Sequence, residues 1–489
     1  MPDTNCINGN LWPYLSNPTK PWDERRIKHL YRRLGFGPNR TELAEAIGQD
    51  PETLIDNLLD DAANSGLMTP PSWSGWTIFD YLFTNPQTNE QEINFDQLFE
   101  HFGELVYTWI QHMVSHPVRE KMTLFWANHF VTVFEDYECT PAAYQYHKLI
   151  QEQAFGNFRD FVYEMGLNPA MLLFLNGNEN TAEEPNENYA RELYELFSLG
   201  RDNGYTQQDI VETARALTGY TTEDCVNVVF EEELWDPDEK TIFGQTGEWG
   251  YEDVIDILFE QKAELIARYI CEKLYRYFVY DTPNEAIIEQ LATTFMDHDF
   301  ELMPVYKLLF KSEHFFDDEV IGVRVKSPME IQISYIREMH LPLNDDFPFY
   351  VFELGEIMGQ TLLSPIDVAG WPGYHAWIDT SRLTARWDAL QNFNYYLIDT
   401  DPDSVMNWVR ELVDNSNDPS YVTSKLVDFI LPNGLQTPEA YLRATNVFKS
   451  DIPQNYFDDG IWNLNWQEAK WQVLVLLIHI ARLPEFQLS

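Results

Sequence analysis

Pro185-Asn186-Glu187-Asn188-Tyr189-Ala190-Arg191-Glu192-Leu193-Tyr194-Glu195-Leu196-Phe197-Ser198-Leu199-Gly200 is the stretch on which the fold turns. Proline and asparagine open it and glycine closes it, the punctuation of a helix that starts after Asn186 or Asn188 and stops at Gly200. On a turn of about 3.6 residues, Asn188, Arg191, Glu192 and Glu195 share one stripe, while Tyr189, Leu193, Leu196 and Phe197 share another. The segment Tyr205 to Gly219 reads as a second capped helix, with Thr206 as N-cap, Asp209 at the capping-box position and Gly219 as the stop. Only a short Asn203-Gly204 turn joins the two, so they must lie against each other. Ala190, Ala214 and Ala216 permit close approach and leave Arg191, Glu192, Glu195, Glu212 and Arg215 free to meet. The expectation is a partly buried polar network that holds two helices in register.

The same residues carry a chemical alternative. Glu192 and Glu195, three apart on one helix face, are candidate acid and base of a hydrolase, because unequal burial separates two carboxyl pKa values. Arg191, Arg215 and His129 complete that candidate set. His129 lies amid Trp126 and Phe130, a pattern that also suits a hydrogen-bonded core histidine.

Outward from this pair, helical spacing recurs through Thr41–Ala63, Val106–Val114, Val118–Phe130, Phe158–Met165, Tyr251–Phe278, Asn284–His298, Met303–Ser312 and Pro328–Met339. Later helices open at Asp401-Pro402, Asp418-Pro419 and Thr437-Pro438, a capping side chain followed by proline at the first helical position. The convincing β-like pattern is Asp224–Phe230 followed by Trp235–Gly247. The expected fold class is therefore all-α: a large irregular helical bundle with a small β-hairpin insertion near 224–247. Residues 1–380 are expected to form a core helical domain, and residues 381–489 a C-terminal helical segment packed on it.

The totals narrow the function. A net charge of −47, from 32 basic and 79 acidic residues, repels nucleic acid and anionic lipid. A hydrophobic content of 44% with 15% aromatic residues excludes disorder as the main state. Cys6, Cys139, Cys225 and Cys271 show no metal-finger spacing and are expected as free thiols, with disulfides left open. No basic and apolar leader is visible at Met1–Cys6, which favours a cytoplasmic location. The apolar run Trp471–Leu483, interrupted by His479 and Arg482, is too short to span a bilayer.

Two local features invite ligands. Arg25, Arg26, Lys28, His29, Arg32 and Arg33 concentrate positive charge in one helix, read as an internal partner for the acidic body, with an anion-binding site as the alternative. The loop Asn176–Glu184 is rich in side-chain oxygen and suits a hard cation such as calcium, with Asn178, Asn180 and Glu183 as candidate ligands. Its spacing departs from the EF-hand pattern.

His29–Pro38, Arg119–Thr132, Asn168-Pro169-Ala170-Met171, Pro185–Leu193, Tyr205–Asp209, Ala214–Gly219, Lys273–Val279, Val325–Glu330 and Leu483–Gln487 together resemble a large bacterial family. It is known only as a domain of unknown function, number eighteen hundred in its series. The resemblance covers almost the whole chain. It implies a single helical unit of no established activity, an accessory or scaffold protein working beside a phosphatase- or sulfatase-like partner. A cation-binding surface protein is the further alternative. Two departures matter: Trp235-Asp236-Pro237-Asp238 stands where relatives tend to carry histidine and aspartate, and Phe197 stands where a histidine is frequent. Both remove potential metal ligands.

Overall fold

Capping side chains set most helix boundaries. Thr206 accepts from the Asp209 backbone while Asp209 reaches back to the Thr206 amide, and the helix Gln207–Ala216 follows. Asp401, Asp418 and Thr437 each accept a backbone N–H of the first turn, with proline next in line, and open Pro402–Leu412, Pro419–Ile430 and Pro438–Phe448. The computed structural model describes residues 10–339, 341, 344 and 346–489. These contain 22 α-helices and three two-stranded antiparallel sheets, the mostly helical architecture expected. Among them no helix is long and apolar enough to cross a membrane.

The longest helix, Tyr251–Phe278, is broken in direction at Lys262, where φ is −127° and ψ 16°. Its apolar face, including Ile255, Leu258, Ile266, Ile270 and Leu274, is buried against Glu285–Asp297 and neighbouring helices. Farther along, Thr380–Thr400 packs on Ala469–Ala481. The chain end then returns to the main body: the Lys326 amide donates to the Gln487 carbonyl at 2.8 Å, and Ser489 N to Arg324 O at 2.8 Å. Position 325 thus bridges to Leu488 in antiparallel fashion.

The basic helix, Glu24–Leu34, lies inside rather than on the surface. Arg32 makes a two-pronged pair with Glu338 at 2.6 and 2.8 Å and also donates to the Ile430 carbonyl at 2.9 Å. Lys28 donates to the Asp428 and Phe429 carbonyls, and Arg33 to that of Val320. Among the described residues eleven lysines and arginines are buried, against four aspartates and glutamates. A chain with a large excess of acid has placed that acid outside and kept an excess of cations within.

Three features depart from expectation. The β-like insertion is two minimal hairpins, Tyr220–Thr221 with Val229–Phe230 and Lys240–Ile242 with Gln245–Gly247. Asp224 breaks the first expected strand by drawing the Val226 and Asn227 amides into a turn, with Cys225 at φ +60°. A third hairpin, Leu82–Thr84 with Gln91–Ile93, occupies the acidic aromatic region before the helix Phe95–Ser115. Finally, Cys139 and Cys225 form a disulfide where free thiols were expected, tying the insertion to the start of Thr140–Gln153. Cys271 is a buried free thiol, and Cys6 lies outside the described residues.

The opening stretch is helical between the expected limits but changes winding. Asn188–Glu192 is α-helical and Leu193–Ser198 is π-helical. The Leu199 amide bonds the Tyr194 carbonyl five residues back, and Ser198 Oγ donates to Leu193 O at 2.5 Å. Gly200 then ends the element at φ +93°.

Candidate functional site

A cavity of about 300 Å³ opens chiefly where four segments meet, with Asp281 and Gln360 completing its lining. They are the end of the helix Pro117–Ala127 with Asn128 and His129, the last turns of Tyr251–Phe278, the Arg324–Ser327 approach to the helix Pro328–Glu338, and the loop Gly370–Trp377. Three of these contain phrases on which the family resemblance rests.

The loop is held in an unusual backbone path. Gly370, Gly373 and Tyr374 have φ of +83°, +72° and +48°. Asn128 clamps it: its Oδ1 accepts from the Trp371 amide at 2.6 Å and its Nδ2 donates to the Trp371 carbonyl at 3.3 Å. Gly370 lies so close to Asn128 Oδ1 that a Cβ would collide there. Tyr374 donates its hydroxyl to the Arg276 carbonyl, closing the loop onto the long helix. Non-glycine residues in left-handed backbone persist where the surroundings over-determine them, a condition common at ligand sites.

Cations dominate the wall. Lys273, Arg276 and Arg324 line the cavity, and Asp281 is the one carboxylate beside them. Arg276, at the mouth, is paired with Glu272 at 2.8 Å and donates to the Asp281 carbonyl. Arg324 pairs with Glu330 at 2.5 Å, yet Glu330 must also serve Lys121 and the Ser327 amide. Burial alone would raise the Glu330 carboxyl, but Arg324 and Lys121 hold it far below the usual carboxylate range. Among the described residues the buried Arg324 Nε has no hydrogen-bond partner. Behind it Arg33 is fully buried, and its Nε and Nη1 are likewise unpartnered. Burial and the nearby Arg324 push the Arg33 guanidinium down to about 9.

Lys273 has no carboxylate in ion-pair range among the described residues. Its Nζ donates to His129 Nδ1 at 2.8 Å and lies 5.3 Å from the centre of the Tyr269 ring. Burial pushes the ammonium down to about 8. His129 is buried and donates Nε2–H to the Phe197 carbonyl at 3.1 Å, so its other nitrogen is the acceptor. Burial and then Lys273 keep its pKa well below the ordinary value, and the ring is neutral. His129, a candidate on sequence grounds, thus reaches the cavity as the anchor of a lysine.

The other candidates lie elsewhere and fall into two groups. Arg191 pairs with Glu187 at 2.7 Å and Glu195 at 3.4 Å, and donates to Gln207 of the second helix at 3.2 Å. Glu195 also takes Arg201 at 3.3 Å. Glu192 is half-buried, and its carboxyl is raised by burial and by Glu195. Arg215 faces away from this group: it pairs with Asp236 at 2.7 Å and with Glu212 at 2.8 Å, and so grips the hairpin insertion. Asp236, within the Trp235–Asp238 stretch that lacks the histidine frequent in relatives, is the buried partner. Neither Glu192 nor Glu195 lines the cavity.

In the loop Asn176–Glu184, Asn180 is buried with its side-chain oxygen accepting from Asn186 N at 2.8 Å and its amide donating to Ala214 O at 2.9 Å. Asn178 is partly exposed and Glu183 exposed. Among the described residues no group of three or more His, Cys, Asp or Glu side chains is placed to hold a metal ion.

Sequence reasoning missed Lys273, Arg276, Arg324 and the Gly370–Trp377 loop as a site. Their signal was faint: basic residues recurring inside apolar segments of an otherwise acidic chain. No curated protein and no solved structure matches this chain. A family model described as "Protein of unknown function (DUF1800)" matches residues 29–488, nearly the full length, and the chain belongs to that family.

Proposed function

We propose that this protein is an accessory binding protein that takes a small oxyanion, of the phosphate, sulfate or carboxylate type, into the Lys273–Arg276–Arg324 cavity. The observation that carries the reading is a cation-lined wall on which, among the described residues, Lys273 has no carboxylate partner and the Arg324 Nε has no hydrogen-bond acceptor. A buried cation without a counter-charge is costly, and an anion supplies both charge and acceptors. An accessory role beside a phosphatase- or sulfatase-like protein, which the family resemblance implies, fits a site that receives the anion such a protein releases. The Cys139–Cys225 bond favours an oxidising compartment over the cytoplasm for that work.

Calorimetric titration with inorganic phosphate and with sulfate tests the reading. Saturable binding is expected, and Lys273→Met should weaken it at least about tenfold, or ~1.4 kcal/mol. A wild-type protein that takes up neither anion removes the proposal.

A second reading, a hydrolase using Glu192 and Glu195, draws support from their unequal environments. Glu195 is tied to two arginines, whereas the Glu192 carboxyl is raised. Hydrolysis of phosphate esters or glycosides that disappears in Glu192→Gln would favour it. Activity unchanged in that variant would dismiss it.

A further inference from the structure

Buried lysines are commonly silenced by what they touch, and this chain supplies the comparison. Lys121 is paired with Glu330, Lys28 donates to two backbone carbonyls, and Lys326 is enclosed with its ammonium 4.4 Å from the centre of the Phe486 ring. Lys273 differs on each count. It borders an open cavity, no carboxylate pairs with it among the described residues, and its hydrogen-bond acceptor is a neutral ring nitrogen. That acceptor is itself fixed, because the other nitrogen of His129 is committed to the Phe197 carbonyl. The amine is thus held at a defined point on the wall, on the same cavity as Arg276 and Arg324.

We infer that Lys273 is a covalent carbonyl-binding residue, whose amine condenses with a small aldehyde or ketone carrying the anionic group that Arg276 and Arg324 receive. The inference rests on the anion-site reading and adds the class of ligand to it. Desolvation of a lysine is an ordinary way for a protein to obtain a nucleophilic amine near neutral pH. With its proton affinity lowered to about 8, a substantial share of Lys273 is free base in mildly alkaline solution.

The step balances without any oxidant or reductant. The nitrogen lone pair attacks the carbonyl carbon, a C–N bond forms, and the carbonyl oxygen takes up a proton to give a carbinolamine. That hydroxyl then leaves with a second proton. Summed from the ammonium, nitrogen surrenders two of its three protons, which depart with the carbonyl oxygen as one water. The product is a protonated imine. Its remaining N–H can keep the bond to His129 Nδ1, so the product retains the anchor of the starting amine.

Trapping tests the idea on the intact chain. The protein is incubated with pyridoxal 5′-phosphate as a phosphate-bearing aldehyde, or with glyoxylate as a carboxylate-bearing one, then reduced with cyanoborohydride and mapped by peptide mass spectrometry. The expected result is a reduced adduct at Lys273 at least about tenfold faster than at the exposed Lys148 and Lys425, slowed by inorganic phosphate. Lys273→Arg, which keeps the charge, should lose that adduct while its melting temperature persists. Labelling spread over exposed lysines with Lys273 unmodified overturns the inference. If phosphate nonetheless binds, the anion reading survives alone. A Lys273 adduct formed at a rate indifferent to phosphate supports the nucleophile and counts against the anion site.

Discussion

Arg191 and Arg215, expected on one interface, do different work. Arg215 is wedged between Asp236 and Glu212, both largely buried, and its guanidinium is held above its ordinary pKa chiefly by the Asp236 hydrogen bond. Arg191 is about one-third exposed and bonded mainly within its own helix. Removing one partner of a mostly buried pair leaves the other unsatisfied, whereas an exposed pair is screened. Asp236→Ala should therefore lower stability by about 1–3 kcal/mol, and Arg191→Ala by less than about 1 kcal/mol, read from urea denaturation midpoints. Equal effects would contradict this division. The caps at Thr206, Asp401, Asp418 and Thr437 were legible in the sequence because each bond spans two or three residues. The Arg215–Asp236 pair was not, because the partner arrives from a separate element 21 residues away.

Among the elements, the insertion near 224–247 depends on fastenings more than on its own strands. Each hairpin has only two or three paired residues per strand, too few to stand alone in water. Arg215–Asp236 holds one end and Cys139–Cys225 the other. Cys225→Ser is expected to cost roughly 2–4 kcal/mol by thermal unfolding, and to speed amide exchange over residues 220–247 before the rest of the chain. Uniform exchange would argue that the bond steadies the whole body instead. Alternating residues made a hairpin visible in the sequence, but the turn chemistry of Asp224 divided it in two. The π winding of Leu193–Ser198 was likewise hidden, since a one-residue change in hydrogen-bond register leaves the apolar spacing of a short helix almost unaltered. The cavity was illegible for a third reason: four segments far apart in sequence build it.

Across the whole molecule, buried ammonium groups tie stability to pH. Burial pushes Lys28 and Lys273 down to about 8 and Lys326 to about 7. In the unfolded chain such groups keep their protons to about pH 10.4. Between roughly pH 7 and 10 the folded state therefore binds fewer protons than the unfolded one, and stability rises with pH. Above pH 10 the gain reverses, because buried tyrosines such as Tyr194, Tyr275 and Tyr306 have hydroxyl pKa values raised by burial and favour the neutral form. The melting temperature should accordingly be higher at pH 9 than at pH 7. A decline across that interval would show that the buried lysines keep their protons.

The acidic exterior around a cationic interior also governs how a ligand arrives. With a net charge of −47, the outer field slows the approach of any anion, and it does so in proportion to the visitor's charge. Dissolved ions collapse that field within about 8–10 Å at ordinary ionic strength, while the enclosed arginines remain shielded from them. Added salt would then hasten entry of a small anion, the reverse of the usual behaviour for oppositely charged partners, and anionic polymers would be turned away before reaching the mouth.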